Sequence, residues 1–123
     1  MWIANLRGRA TPQVALLRAL AAREPLLVGD LVLAEVLHGA RDDAHAARIE
    51  RDLRRHLVVA MAGEDIATQA ARNYRTMRRV GATVRRTIDL LIGTFCLARG
   101  HRLLHDDRDF DAMEQVLGLA VLR

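Results

Sequence analysis

The sequence predicts an α/β fold with a mainly parallel sheet, on three observations. Short apolar runs at Leu26-Leu27-Val28, Leu57-Val58-Val59, Leu103-Leu104 and Leu119–Leu122 alternate with longer stretches of helical periodicity. Gly39, Gly81 and Gly100 stand just past helical stretches, where a left-handed cap costs least. No internal repeat, low-complexity tract or Pro/Gly-rich linker divides the 123 residues, so they are expected to form one domain. Ligand sites in such sheets lie beyond the carboxyl ends of the strands.

Taken in order, Thr11-Pro12 opens a helix with a capping side chain and a proline at the first helical position. Val14, Leu16, Leu17 and Leu20 carry it to about Arg23, and Pro25 stops it. After a strand at 26–28, Asp30 caps a helix running through Leu37 to Gly39. A helix from Asp43 to about Arg55 follows, with Ala46, Ala47, Ile49 and Leu53 as its apolar stripe. A strand at 57–59 leads to a long helix from Glu64 or Asp65 to about Val80, closed by Gly81. Thr87 caps the next helix, through Arg99 to Gly100. A strand at 102–105, a short helix around Met113–Leu117 and a last strand at 119–122 complete the chain.

Composition removes several kinds of chemistry. The chain has 19 Arg and no Lys, 15 acidic residues, no Ser and one Cys. Without Ser there is no serine nucleophile, and without Lys no phosphate-loop lysine or Schiff base. One Cys makes neither an internal disulfide nor a multi-cysteine zinc site. What remains is carboxylate, histidine or metal chemistry. The net charge of +4 suits a polyanionic partner, although an Arg-for-Lys genome bias produces the same excess. With only four aromatics, Trp2, Tyr74, Phe95 and Phe110, there is little surface for stacking bases. No apolar run reaches transmembrane length and no leader-like segment stands at the start, which makes the cytoplasm the expected location.

Three acidic positions interrupt apolar surroundings. Glu35 is the only charge in Leu31–Leu37, and is either a solvated helix residue or a functional carboxylate against an apolar wall. Asp89, in Thr87–Gly93, complements the helix dipole on the bland reading; Gly93, four residues on, is expected to leave space above the carboxylate for a metal or substrate. Asp106, Asp107, Asp109 and Asp111 crowd the turn after an apolar strand. For Asp106 and Asp111 a polar, Asx-capped turn is sufficient, whereas Asp107 and Asp109 stand at the strand's carboxyl end and are read as functional. Carboxylates gathered from several segments suit Mg²⁺ or Mn²⁺, and such sites serve phosphodiester hydrolysis best.

This pattern resembles PIN-domain ribonucleases, in particular the VapC-type toxins of toxin–antitoxin pairs, over nearly the whole chain. Trp2-Ile3 with Leu6-Arg7 is similar to the end of the family's opening motif, and Glu35 with Gly39 to its Glu-x-x-x-Gly element. Ile88-Asp89-Leu90-Leu91-Ile92 is similar to its Ile-Asp-x-x-Ile element. Leu103-Leu104-His105-Asp106-Asp107-Arg108-Asp109-Phe110 is close to its strand-then-Asp-x-Asp-Phe signature. The resemblance implies a PIN-like three-layer α/β/α sandwich with a five-stranded parallel sheet. It also implies four acids holding Mg²⁺ or Mn²⁺, with Glu35, Asp89 and Asp107 as three of them and Asp109 as a catalytic accessory. An RNA substrate, a homodimer and inhibition by a VapB-type antitoxin are implied as well.

One departure stands out. The family's first strand and first catalytic Asp fall before Met1, so residues 1–123 are expected to be an N-terminally truncated PIN-like domain. A start codon lying further upstream is preferred to true truncation, with little nuclease activity expected until the missing segment is restored. The competing function is a catalytically inactive PIN-like module that binds antitoxin or RNA. A receiver-like signalling domain also clusters Asp around Mg²⁺, but the absence of Lys counts against it.

The other residues are assigned more modest roles. Arg72, Arg75, Arg78 and Arg79 are read as solvated surface. Arg85 and Arg86, just before the Asp89 helix, are the candidates for RNA or for an acidic antitoxin tail. His38 and His105 are read as making incidental polar contacts, Cys96, Trp2, Leu6 and Phe95 as packing, and Tyr74 as a packing or interface residue.

Overall fold

A computed structural model describes residues 12–23 and 26–122. Its described elements are α1 (Pro12–Ala21), β1 (Leu27–Gly29), α2 (Asp30–His38), α3 (Asp43–Leu53), β2 (Leu57–Val59), α4 (Glu64–Arg79), α5 (Thr87–Arg99) and α6 (Arg108–Leu117). The expected α/β class with parallel pairing is what these residues show. The chain divides into two compact units, Met1–Ala60 and Met61–Arg123.

In the first unit, β1 and β2 pair in parallel, with Leu27 opposite Leu57, Val28 opposite Val58 and Gly29 opposite Val59. Parallel neighbours need a long crossover, and α2 with α3 supplies it. Both helices have an apolar face at helical spacing, and these faces meet: Val36, Ile49 and Leu53 are buried together, with Val32, Leu33, Leu37 and Ala40 packed around them. Asp42 caps α3 by accepting a 2.7 Å hydrogen bond from the His45 N–H, one residue ahead of the expected opening. Gly39 lies at φ −83° and is not the left-handed cap expected there. Its N–H bonds the Val36 carbonyl at 3.3 Å, which ends α2 in a right-handed turn. The expected opening cap at Thr11 and stop at Pro25, and the Trp2-Ile3 and Leu6-Arg7 motif, lie outside the described residues.

The second unit is built around α5. Leu90, Ile92, Gly93, Phe95 and Cys96 are all buried, so this helix is apolar on nearly every side and serves as the core onto which α4 and α6 pack. Helix α4 contributes Ile66, Ala70 and Met77, and α6 contributes Phe110 and Met113. A 3.0 Å hydrogen bond from Asn73 Nδ2 to Thr94 Oγ1 ties α4 to α5 and satisfies the buried hydroxyl. Gly81, Gly100 and Gly118 take positive φ after their helices, as a helix stop requires of a residue without a Cβ.

Three expectations need correcting here. Thr87 is the first residue of α5 and not its cap; the cap position is Arg86, and no side chain bonds the helix end from it. The strands expected at 102–105 and 119–122 reduce to one parallel bridge, Leu103 opposite Val121, among the described residues. Leu103 donates to the Ala120 carbonyl and accepts from the Leu122 N–H, both at 2.9 Å. The chain beyond Leu103 turns at once into the acidic segment, and left-handed Gly118 immediately precedes Leu119, which leaves little extended backbone to pair. Helix α6 begins at Arg108 and not near Met113, because Asp107 caps it.

Cys96 is core, as expected, and burial pushes its thiol up to about 11. Thiolate is the reactive form, so native Cys96 is expected to alkylate roughly 100-fold more slowly at pH 8 than an unperturbed cysteine. Mass spectrometry after iodoacetamide treatment, with and without denaturant, measures this. Equal labelling in both would contradict the burial of the thiol.

Candidate functional site

The acidic segment sits where the chain passes from the Leu103 bridge into α6. Helix starts leave N–H groups without partners, and an Asp at the cap position supplies an acceptor. Asp107 does this: its Oδ1 accepts from the Asp109 N–H at 2.9 Å. The capping role expected of Asp106 and Asp111 therefore belongs to Asp107, a residue read as functional. The Asp107 N–H in turn donates to His105 Nδ1 at 3.1 Å.

Asp109, inside the first turn of α6, is only 3% exposed. Its two oxygens accept from consecutive main-chain N–H groups, Arg85 at 3.1 Å and Arg86 at 3.2 Å. The Arg85 guanidinium adds a longer contact of 3.7 Å, but that side chain is largely in solvent and the attraction is screened. Asp89, in the first turn of α5, is equally buried at 3% exposed. Its Oδ2 has no hydrogen-bond partner.

One oxygen from each of Asp89, Asp107 and Asp109 lies within 4.8 Å of the others. Burial raises the Asp89 pKa well above the ordinary carboxylate value, helped by a hydrogen bond with Asp109 and opposed by the nearby Arg86 charge. Asp109 moves the other way. Burial pushes its pKa up, but the Arg85 N–H, the hydrogen bond from Asp89 and the Arg86 N–H outweigh it, and the net shift is downward. The two shifts run in opposite directions, as like charges at close range favour. An orphaned buried oxygen beside two further carboxylates is a donor set that fits a hard divalent cation, which takes oxygen ligands and removes the repulsion.

The four predicted acids are placed as follows. Asp89, Asp107 and Asp109 come together in the second unit, whereas Glu35 is half-buried on α2 in the first. The space expected above Asp89 at Gly93 is already filled. A Cβ there would meet Met113 Cε at 2.3 Å and Sδ at 2.6 Å, so this glycine admits a core methionine and not a ligand. Arg85 and Arg86 have exposed side chains, but their main-chain N–H groups hold Asp109, a role no side-chain reading would find.

His105 makes a polar contact, as the sequence reading expected of it. Its side chain is 9% exposed, and its ring packs on Phe110 with centroids 5.0 Å apart. Burial lowers its pKa, against the opposing pull of Asp111, Glu114, Asp106 and Asp107. The available signal was its spacing, since a ring acceptor two residues before an acid is within reach of that acid's own N–H. His38 is exposed at the end of α2.

The PIN domain family model matches residues 1–116. Among curated proteins, the chain is similar to VapC ribonuclease Mb1587 of Mycobacterium bovis and to ribonuclease VapC11 of Mycobacterium tuberculosis. Each is 31% identical over 121 residues, spanning 96% of this chain and 90% of the relative. Among the described residues, no helix is long and apolar enough to cross a membrane. A parallel α/β scaffold, a buried carboxylate cluster at the ends of two helices and similarity over almost the full length agree, and the chain belongs to the PIN-domain family, in its VapC branch.

Proposed function

We propose that the chain is a metal-dependent endoribonuclease, the toxin of a type II toxin–antitoxin pair, neutralised by a VapB-type antitoxin. The observation that carries this is the convergence of Asp89, Asp107 and Asp109 around an unpartnered buried oxygen, in a chain whose relatives are named ribonucleases. Asp89 and Asp107 are the residues we assign to Mg²⁺ or Mn²⁺, and Glu35 is retained as the further acid that the family pattern implies. When bound, such an ion supplies Lewis acidity at the scissile phosphate and lowers the pKa of the attacking water.

The remaining roles belong to the chain itself. Asp109, with both oxygens on main-chain N–H groups, acts as the accessory that holds the Arg85–Arg86 segment against the site. The exposed side chains of Arg85 and Arg86 would meet RNA phosphates, or an acidic antitoxin tail that would exclude RNA. A homodimer working in the cytoplasm completes the reading.

The test is cleavage of a structured RNA by purified protein with Mg²⁺, with Mn²⁺ and with EDTA, beside Glu35→Gln. Whatever cleavage the protein shows is expected to require metal, and E35Q is expected to retain about a hundredth of it or less. Cleavage that persists in EDTA would overturn the metal dependence, and full activity in E35Q would remove Glu35 from the site. RNA or antitoxin binding with no cleavage under any metal would instead identify a binding module.

A further inference from the structure

Beside the acid cluster stands a histidine that contributes no oxygen to it. His105 lies between the Leu103 bridge and α6, and its Nδ1 accepts the Asp107 N–H at 3.1 Å. An acceptor Nδ1 carries no proton, so the neutral ring must carry its hydrogen on Nε2. Nε2 is itself buried without a hydrogen-bond partner, 3.8 Å from the nearer Asp111 oxygen. One face of the ring is fixed by Phe110, whose neighbour in sequence is Asp109. His105 thus grips the acidic turn at both ends: by a hydrogen bond before α6 and by ring packing inside its first turn.

We propose that His105 is a positioning residue for the acidic site, fixing the main chain at Asp107 so that its carboxylate is aimed at Asp89 and Asp109. Asp107 is the α6 cap with φ −119° and ψ 140°, and its Oδ1 is held by the Asp109 N–H. A carboxylate held this way still has lone pairs for a cation, provided its main chain does not swing. The His105 bond restrains that swing. A partner that orients a ligand without touching the metal commonly matters about 10–100-fold for metal affinity. The inference rests on the metal-site reading above.

Two substitutions separate aiming from packing. His105→Asn keeps an acceptor close to where Nδ1 stands but loses the ring. His105→Phe keeps the ring against Phe110 but has no acceptor. Mn²⁺ binding is measured by calorimetry on the full chain without RNA, and melting temperature is measured in EDTA. We expect H105F to weaken Mn²⁺ binding by about tenfold or more and H105N to stay within about threefold of wild type. A packing role alone predicts the reverse order, since H105N loses more buried surface, and that order would overturn the proposal, as would equal affinities in all three proteins. Wild-type protein that binds no Mn²⁺ overturns the metal-site reading and this inference with it, a result distinct from wild-type binding that neither variant changes. Should H105F fail to fold, nitrogen-detected NMR of the wild-type ring decides the matter: the Nε2–H tautomer supports the proposal and an Nδ1–H tautomer sinks it.

Discussion

Asp89→Asn is expected to abolish metal-dependent RNA cleavage while making the metal-free protein more stable. Asp89 is 3% exposed, its Oδ2 has no partner, and burial raises its pKa. A folded pKa above the unfolded one, about 3.9 for Asp, means that the native state favours the protonated acid. Stability from this group is therefore full below about pH 4 and is lost as pH rises toward the raised native value. Asn carries no charge at any pH and can donate to Asp109 as the protonated acid does. In EDTA, the D89N protein should melt at the wild-type temperature near pH 4 and about 3–8 °C higher near neutrality, scaled from typical melting behaviour. Cleavage should fall by more than about 100-fold, since a neutral amide is a poor ligand for a hard cation. Differential scanning fluorimetry across pH reads the first effect and a labelled-RNA assay the second. A melting temperature lowered at neutral pH would mean that Asp89 is a satisfied structural acid.

The same substitution logic runs backwards at Asp109, although it is just as buried and close by. Asp109→Ala is expected to destabilise the protein strongly. Its carboxylate accepts from both the Arg85 and Arg86 N–H groups, and truncation leaves two main-chain donors without their charged acceptor. Charge-assisted bonds of this kind contribute about 1.5–3 kcal/mol each, so a loss of about 3 kcal/mol, or roughly 10 °C, is the expected scale. The net pKa shift of Asp109 is downward, with burial outweighed by these donors. Its stabilisation is therefore present above the unfolded pKa and lost as pH falls through the native one. The difference between wild type and D109A should be widest near neutral pH and shrink in acid. An unchanged melting temperature would show that the Arg85–Arg86 segment does not rely on this clamp.

The contrast between the two aspartates marks the limit of sequence reasoning. Ile88-Asp89-Leu90 identified Asp89 as an acid amid apolar neighbours, and a position at a strand's carboxyl end singled out Asp109. Which compensation each receives is not written locally. Asp109 meets N–H groups 23 and 24 residues away in sequence, while Asp89 meets none through Oδ2. Gly93 makes the same point. Its place one helical turn after Asp89 promised room for a ligand, and α6 fills that room with Met113.

The sequence by itself determined the alternation of strands and helices, the helices that end at left-handed Gly100 and at Gly81, the core role of Cys96, and the identity of the unusual acids. These follow from periodicity, capping and desolvation, which act over a few residues. Tertiary structure alone decided that the strands expected at 102–105 and 119–122 shrink to one bridge, and that the main chain of Arg85 and Arg86 is the partner of Asp109. Hydrogen bonds to backbone groups carry no side-chain signature, and which distant N–H a carboxylate reaches depends on how whole helices pack.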